Sequence, residues 1–141
     1  MTKMTRRALV AAVVSVAAVS LQAQVGFDRL LRADAEPHNW LSYSGGLSNQ
    51  RYTGLTEITP ANVKDLQLQR VWQARSLEKF EATPLAVDGV LYTVQAPNDV
   101  VALDAASGRV FWVYRYQNDP ELVVCCGSNN RGVAILGETL F

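Results

Sequence analysis

The chain has 141 residues, with 13 Lys and Arg set against 13 Asp and Glu, one His and two Cys. This balance offers no basic stripe for nucleic acid and no cationic face for an anionic membrane. His38 alone with two cysteines supports no Cys/His zinc set, and no Ser, His and Asp pattern supports a hydrolase triad.

Lys3, Arg6 and Arg7 open the chain, and ALVAAVVSVAAVSLQA, Ala8 to Ala23, follows as an apolar run of small residues. This is the layout of a secretory signal peptide over residues 1–23, cleaved after Ala23, although Leu21 is a poor residue two places earlier. TRRALV carries a faint similarity to a twin-arginine export signal. The run is too short and too rich in alanine for a membrane span, so no stable membrane insertion is expected. No cysteine near the cleavage region offers a lipid anchor. Removing the leader leaves 10 basic against 13 acidic residues, a formal charge of −3.

Residues 24–38 form a lead-in of mixed charge, in which FDRLLRADAE reads as a short helix or a frayed segment. From Asn39, NWLSYSGGLSNQRYTGL has no helical period and reads as loops with a short strand. Thr59-Pro60 opens a brief helical turn over Val63 to Leu66, and LQRVWQA, Leu68 to Ala74, alternates well enough to predict a strand. TPLAVDGVLYTV places two β-rich arms around Asp88-Gly89, a strong signal for a two-residue hairpin. VVALDAASGRVFWVY supplies another strand pair around a DAASG turn.

The tail repeats this pattern. GVAILGETLF, Gly132 to Phe141, aligns with TPLAVDGVLY, Thr83 to Tyr92, at an offset of 49 residues, with Gly137-Glu138 in the place of Asp88-Gly89. Repeats of about 40–50 residues with four strands each are the signature of propeller blades. The first copy continues through TVQAPNDVVALDAASGRVFW, whereas the second stops inside the strand after its turn. A fragment of a longer protein is therefore expected.

The cysteines are adjacent, Cys125-Cys126. Neighbouring Cα atoms lie about 3.8 Å apart, below the roughly 4.4–6.8 Å of ordinary disulfides. Two readings stay open on the residues alone: small buried thiols, or a strained vicinal disulfide, which export into an oxidising compartment would permit.

Four segments carry a family resemblance. NWLSYSGGLSNQRYTGLTEITPANVKDL, FEATPLAVDGVLY, ALDAASGRVFW and CCGSNNRGVA resemble, in order, the opening segment, first inner hairpin, blade-docking pattern and vicinal-cysteine segment of the quinoprotein alcohol dehydrogenases of the methanol and ethanol type. The docking pattern A-x-D-x-x-[TS]-G-x-x-x-W runs through Ala102, Asp104, Ser107, Gly108 and Trp112. The resemblance implies an all-β fold, with residues 39–141 forming about one and a half amino-terminal blades of an eight-bladed β-propeller.

It also implies a periplasmic enzyme that oxidises an alcohol to an aldehyde by hydride transfer to pyrroloquinoline quinone (PQQ), passing electrons to a cytochrome c. Glu81, Cys125, Cys126 and Arg131 match cofactor-contacting positions. In the family the Cys125-Cys126 pair corresponds to a disulfide that forms one face of the quinone sandwich, and Arg131 to an arginine that donates to the cofactor. Asn130 is expected to be a turn residue rather than a ligand. The ligands of Ca2+ or a lanthanide, and the catalytic base, belong to positions beyond Phe141, so no metal or catalytic residue is expected within this chain. The segment departs from the familiar pattern at Ser128-Asn129. The alternative is a non-catalytic propeller scaffold of the outer-membrane assembly type, which would use the docking pattern but has no need of CCGSNNRG.

Overall fold

The computed structural model describes residues 25–117, 119–121, 123, 125, 127 and 129–141. The segment expected to be a signal peptide, and Cys126 with any bond it makes, lie outside the described residues.

The Asp88-Gly89 signal produces a hairpin. Both residues have positive φ, 48° and 83°, the backbone of a type I′ turn whose twist suits two antiparallel strands. It joins β1 (Leu85–Val87) to β2 (Val90–Gln95), with Val87 opposite Val90 and Leu85 opposite Tyr92. β3 (Asp99–Asp104) and β4 (Val110–Tyr114) extend this into an antiparallel sheet of four strands in the order β1-β2-β3-β4. Between β3 and β4 the register slips: Ala102 faces Trp112 and Leu103 faces Val110, leaving Phe111 as the extra residue of a bulge. Such a bulge bends the outer strand and increases its twist.

The DAASG turn is held by its own polar groups. The Asp104 carboxylate accepts from the Ser107 hydroxyl at 2.6 Å and from Ala106 N–H at 2.9 Å. Those hydrogen bonds, led by Ser107, keep its carboxyl below the usual carboxylate range. Gly108 sits at φ 72° with the aliphatic stem of Arg70 pressed against it, and an added Cβ would come within 2.9 Å of Arg70 Cδ. The Arg70 guanidinium reaches over to donate to Ala105 O at 2.6 Å. Trp112, four residues after Gly108, tilts against Tyr92 with ring centroids 6.0 Å apart and keeps an exposed face.

The second hairpin reproduces the first at the predicted spacing. β5 (Ile135–Leu136) pairs with β6 (Thr139–Leu140), and Ala134 and Phe141 exchange both backbone hydrogen bonds beyond them. Gly137, at φ 61°, takes the turn position that Asp88 takes in the first copy. The architecture is thus one four-stranded sheet followed by a hairpin, as expected for one and a half blades.

The lead-in stitches the two hairpins together. Trp40 bridges Ala86 on the free edge of β1 through hydrogen bonds of 2.7 and 3.1 Å, and Val25 bridges Gly137 through bonds of 3.0 and 2.9 Å. Between them lie α1 (Phe27–Leu31) and a 3-10 turn, Ala33–Ala35. Val25 and Leu41 pack with Leu85, Val87 and Ile135 into one buried cluster, flanked by Leu30, Tyr92, Val133 and Leu140. Each fully buried aliphatic side chain there contributes on the order of 1.5–3 kcal/mol.

One predicted element is absent. The Val63–Asp65 turn forms as a 3-10 helix, but Leu68 to Ala74 makes no strand. Alternation requires a ladder partner to become a strand, and none of the described strands pairs with this stretch. Leu68 and Val71 stay exposed, while Trp72 packs edge-on against Phe80 at 6.3 Å.

Candidate cofactor-binding site

Glu81 and Arg131 are 50 residues apart in sequence, yet each lies four residues before the first strand residue of its own hairpin, Leu85 and Ile135. The approach of the two consecutive hairpins brings these two segments side by side. Arg131 Nε donates to Glu81 Oε2 at 3.4 Å, and Asn129 Nδ2 donates to Glu81 Oε1, also at 3.4 Å. The backbone follows the same approach: Thr83 N–H donates to Arg131 O at 3.4 Å.

Gly132 permits this close passage. Its φ is 127°, and a Cβ there would lie 3.1 Å from Thr83 O. Only glycine takes that backbone without strain and without meeting the carbonyl. Its N–H is not left orphaned, because Asn130 Oδ1 accepts from it at 2.9 Å. The other end of the Asn130 amide donates to Asn98 Oδ1 at 3.0 Å, in the turn between β2 and β3. Asn98 and Asn130 also line a groove of about 720 Å³ with Trp112, Tyr114, Tyr116 and Phe141.

The predicted site residues separate into three groups. Glu81 and Arg131 are in contact; Cys125 stands in an exposed turn, so it is not a buried hydrophobe; Cys126 is outside the described residues. Sequence reasoning passed over Asn98 and Asn129, whose amide side chains complete the joint. An Asn in a loop carries no periodic signal, and its partners, 32 and 48 residues away, are set by the packing of the hairpins.

A planar quinone with three carboxylates would need cationic donors at its edge, and Arg131 has the chemistry for it. Its side chain is 79% exposed and Glu81 is 37% exposed. Among the described residues a side chain engages Arg131 at Nε alone, and the exposure of the side chain leaves its planar Nη fork accessible. Guanidinium remains charged and binds carboxylates through paired donors. Among the described residues no three His, Cys, Asp or Glu side chains converge as a metal set. None of the described helices is long and apolar enough to cross a membrane.

Residues 40–139 match the family described as PQQ: glucose/ethanol/alcohol dehydrogenase, beta-propeller domain. Quinohemoprotein alcohol dehydrogenase ADH-IIG of Pseudomonas putida is 39% identical over 120 residues, covering 84% of this chain and 17% of that protein. Its solved structure superposes with a TM-score of 0.73 over 82% of this chain and 17% of its own. The 1-butanol dehydrogenase (cytochrome c) of Thauera butanivorans is 42% identical over 68% of this chain and 14% of its own length. A europium-containing methanol dehydrogenase, 32% identical, gives a TM-score of 0.69 over 77% of this chain and 20% of its own. The chain therefore spans between 14% and 20% of the length of these relatives. Blade architecture, docking turn and matched sequence agree: the chain belongs to the β-propeller family of PQQ-dependent glucose, ethanol and alcohol dehydrogenases.

Proposed function

We propose that this chain is the amino-terminal part of a periplasmic PQQ-dependent dehydrogenase that oxidises a small alcohol to its aldehyde, and that it contributes one wall of the cofactor pocket. The observation that carries this reading is the pairing of Glu81 with an exposed Arg131 across two consecutive hairpins. The basic start and apolar run of residues 1–23 support export, with the mature protein starting at the lead-in of residues 24–38.

In this reading Arg131 binds and orients an acidic planar cofactor through its Nη fork, and Glu81 holds that guanidinium by its Nε edge. Glu81 Oε1, which takes only the Asn129 amide among the described residues, lies at the same margin of the pocket. A Cys125-Cys126 disulfide would give the quinone a rigid, polarizable floor, for which the exposed position of Cys125 is suitable. PQQ, when bound, supplies the carbonyl that accepts hydride, with Ca2+ or a lanthanide held by ligands outside this chain. The relatives include a 1-butanol dehydrogenase (cytochrome c) and a lanthanide-dependent methanol dehydrogenase, which support a cytochrome acceptor and a lanthanide as one of the two candidate metals.

The reading frame beyond Phe141 and the protein it encodes test the proposal. Further docking repeats, PQQ uptake and alcohol-dependent dye reduction by the whole protein are expected, with no dye reduction by the 141-residue chain alone. A whole protein that takes up no PQQ would overturn the enzymatic reading and leave a propeller scaffold. Turnover by the isolated chain would overturn the assignment of one wall only.

A further inference from the structure

We propose that the Asn98–Asn130 amide pair is a positioning joint that sets Arg131 for cofactor binding; the inference rests on the reading of Arg131 as a cofactor donor. The direction of the joint follows from chemistry. An amide side chain offers one oxygen acceptor and one NH₂ donor, and which end points where is decided by the partners. The Gly132 N–H can only donate, and its nitrogen meets Asn130 at 2.9 Å, so Asn130 must present Oδ1 there. Its Nδ2 therefore faces Asn98, and Asn98 must answer with an acceptor at 3.0 Å.

The pair thus fixes the chain on both sides of Arg131. Residue 130 is tied to the turn between β2 and β3, and the N–H of residue 132 is tied to residue 130. Between these two ties, Arg131 O accepts from Thr83 N–H and Arg131 Nε reaches Glu81. Arg131 itself has an exposed side chain and a single ion-pair partner at 3.4 Å among the described residues. Such a surface pair orders its members only weakly. The backbone held by the two asparagines is what limits where the guanidinium can go, and a pre-set donor binds more tightly than one that must be ordered on binding.

The required polarity gives the test. In the full-length apoprotein, PQQ affinity is measured by quenching of tryptophan fluorescence, with apoprotein thermal unfolding and amide hydrogen exchange at Gly132 followed in parallel. Asn98→Asp keeps an acceptor, so affinity should stay within about twofold of wild type, whereas Asn98→Leu removes it and should weaken PQQ about tenfold. Gly132 exchange should accelerate in Asn98→Leu, with little change in the unfolding temperature. Combining Asn98→Asp with Asn130→Asp leaves two acceptors and no donor, and should lose affinity beyond the sum of the single changes. That combination carries the test should Asn98→Leu fold poorly. Wild-type affinity in both Asn98→Leu and the double variant, with Arg131→Ala still weakened, would overturn the joint and spare the functional reading. Unchanged affinity in Arg131→Ala would overturn the functional reading and the joint with it.

Discussion

Arg29 and Arg131 each meet a glutamate, but the first arginine spends its donors on the protein and the second does not. Arg29 contacts Glu36 at 3.0 and 2.6 Å and Asp88 at 3.0 and 2.8 Å, with all three side chains between 25% and 29% exposed. Asn39 fills the remaining angles: its Nδ2 donates to Glu36 and Asp88, and its Oδ1 accepts from Asp88 N–H at 2.8 Å. The hydrogen bonds from Arg29 hold both carboxyls below the usual carboxylate range, and the two carboxylates in turn push the Arg29 pKa up. This cluster locks α1 onto the β1–β2 turn. At Arg131 one longer contact leaves most of the side chain exposed. A forked cation saturated by bidentate partners is a joint, whereas the same cation left mostly unsatisfied keeps its donors for an acidic ligand such as the one proposed for Arg131.

The largest effect should come from removing what both regions stand on. Leu85→Ala empties a fully buried position shared by the lead-in and both hairpins, and should cost about 2–5 kcal/mol in chemical denaturation. It should weaken cofactor binding and the clamp together, erasing the contrast. Arg131→Ala should lower PQQ affinity by about ten- to a hundredfold in titration, with the apoprotein melting as before. Arg29→Met should do the reverse, lowering stability by about 1–2 kcal/mol after allowance for solvent screening and leaving PQQ affinity nearly unchanged. If both arginines behaved alike in the two assays, the distinction between joint and ligand site would fail.

Acid sharpens the same contrast. Since the folded-state carboxyls of Glu36 and Asp88 are depressed, their contribution is complete above the unfolded carboxylate range and is lost as pH falls through their folded values. Melting temperature should therefore drop from about pH 4 downward, more steeply in wild type than in Arg29→Met. The smallest difference separates two glycines of the cysteine segment. Gly127→Ala meets only the penalty of a positive φ, with open space around it, whereas Gly132→Ala also meets Thr83 O. The second should cost about 1 kcal/mol more than the first in thermal unfolding.

Legibility followed the range of the interaction involved. The Asp88-Gly89 and Gly137-Glu138 turns, the DAASG loop and the 49-residue offset were readable because each depends on a few neighbouring residues or on simple repetition. Glu81 and Arg131 were identifiable as candidates through the resemblance of FEATP and CCGSNNRG, but their contact was not, because neither segment names its partner. Leu68 to Ala74 failed as a strand for the complementary reason: its alternation is local, while a ladder requires a second chain segment that none of the described strands provides.

The lead-in makes the division plainest. Its charges suggested a short helix or a frayed end, and the helix did form as Phe27–Leu31. What that stretch is for emerged only in three dimensions, where Val25 and Trp40 reach the edges of two different hairpins and Arg29 reaches a turn 59 residues away. By itself the sequence determined where the chain turns, which faces alternate and which repeat it belongs to, since backbone sterics and turn chemistry act between near neighbours. The tertiary structure alone decided which arginine is consumed and which is presented, because that depends on how many acceptors distant segments bring within hydrogen-bond reach.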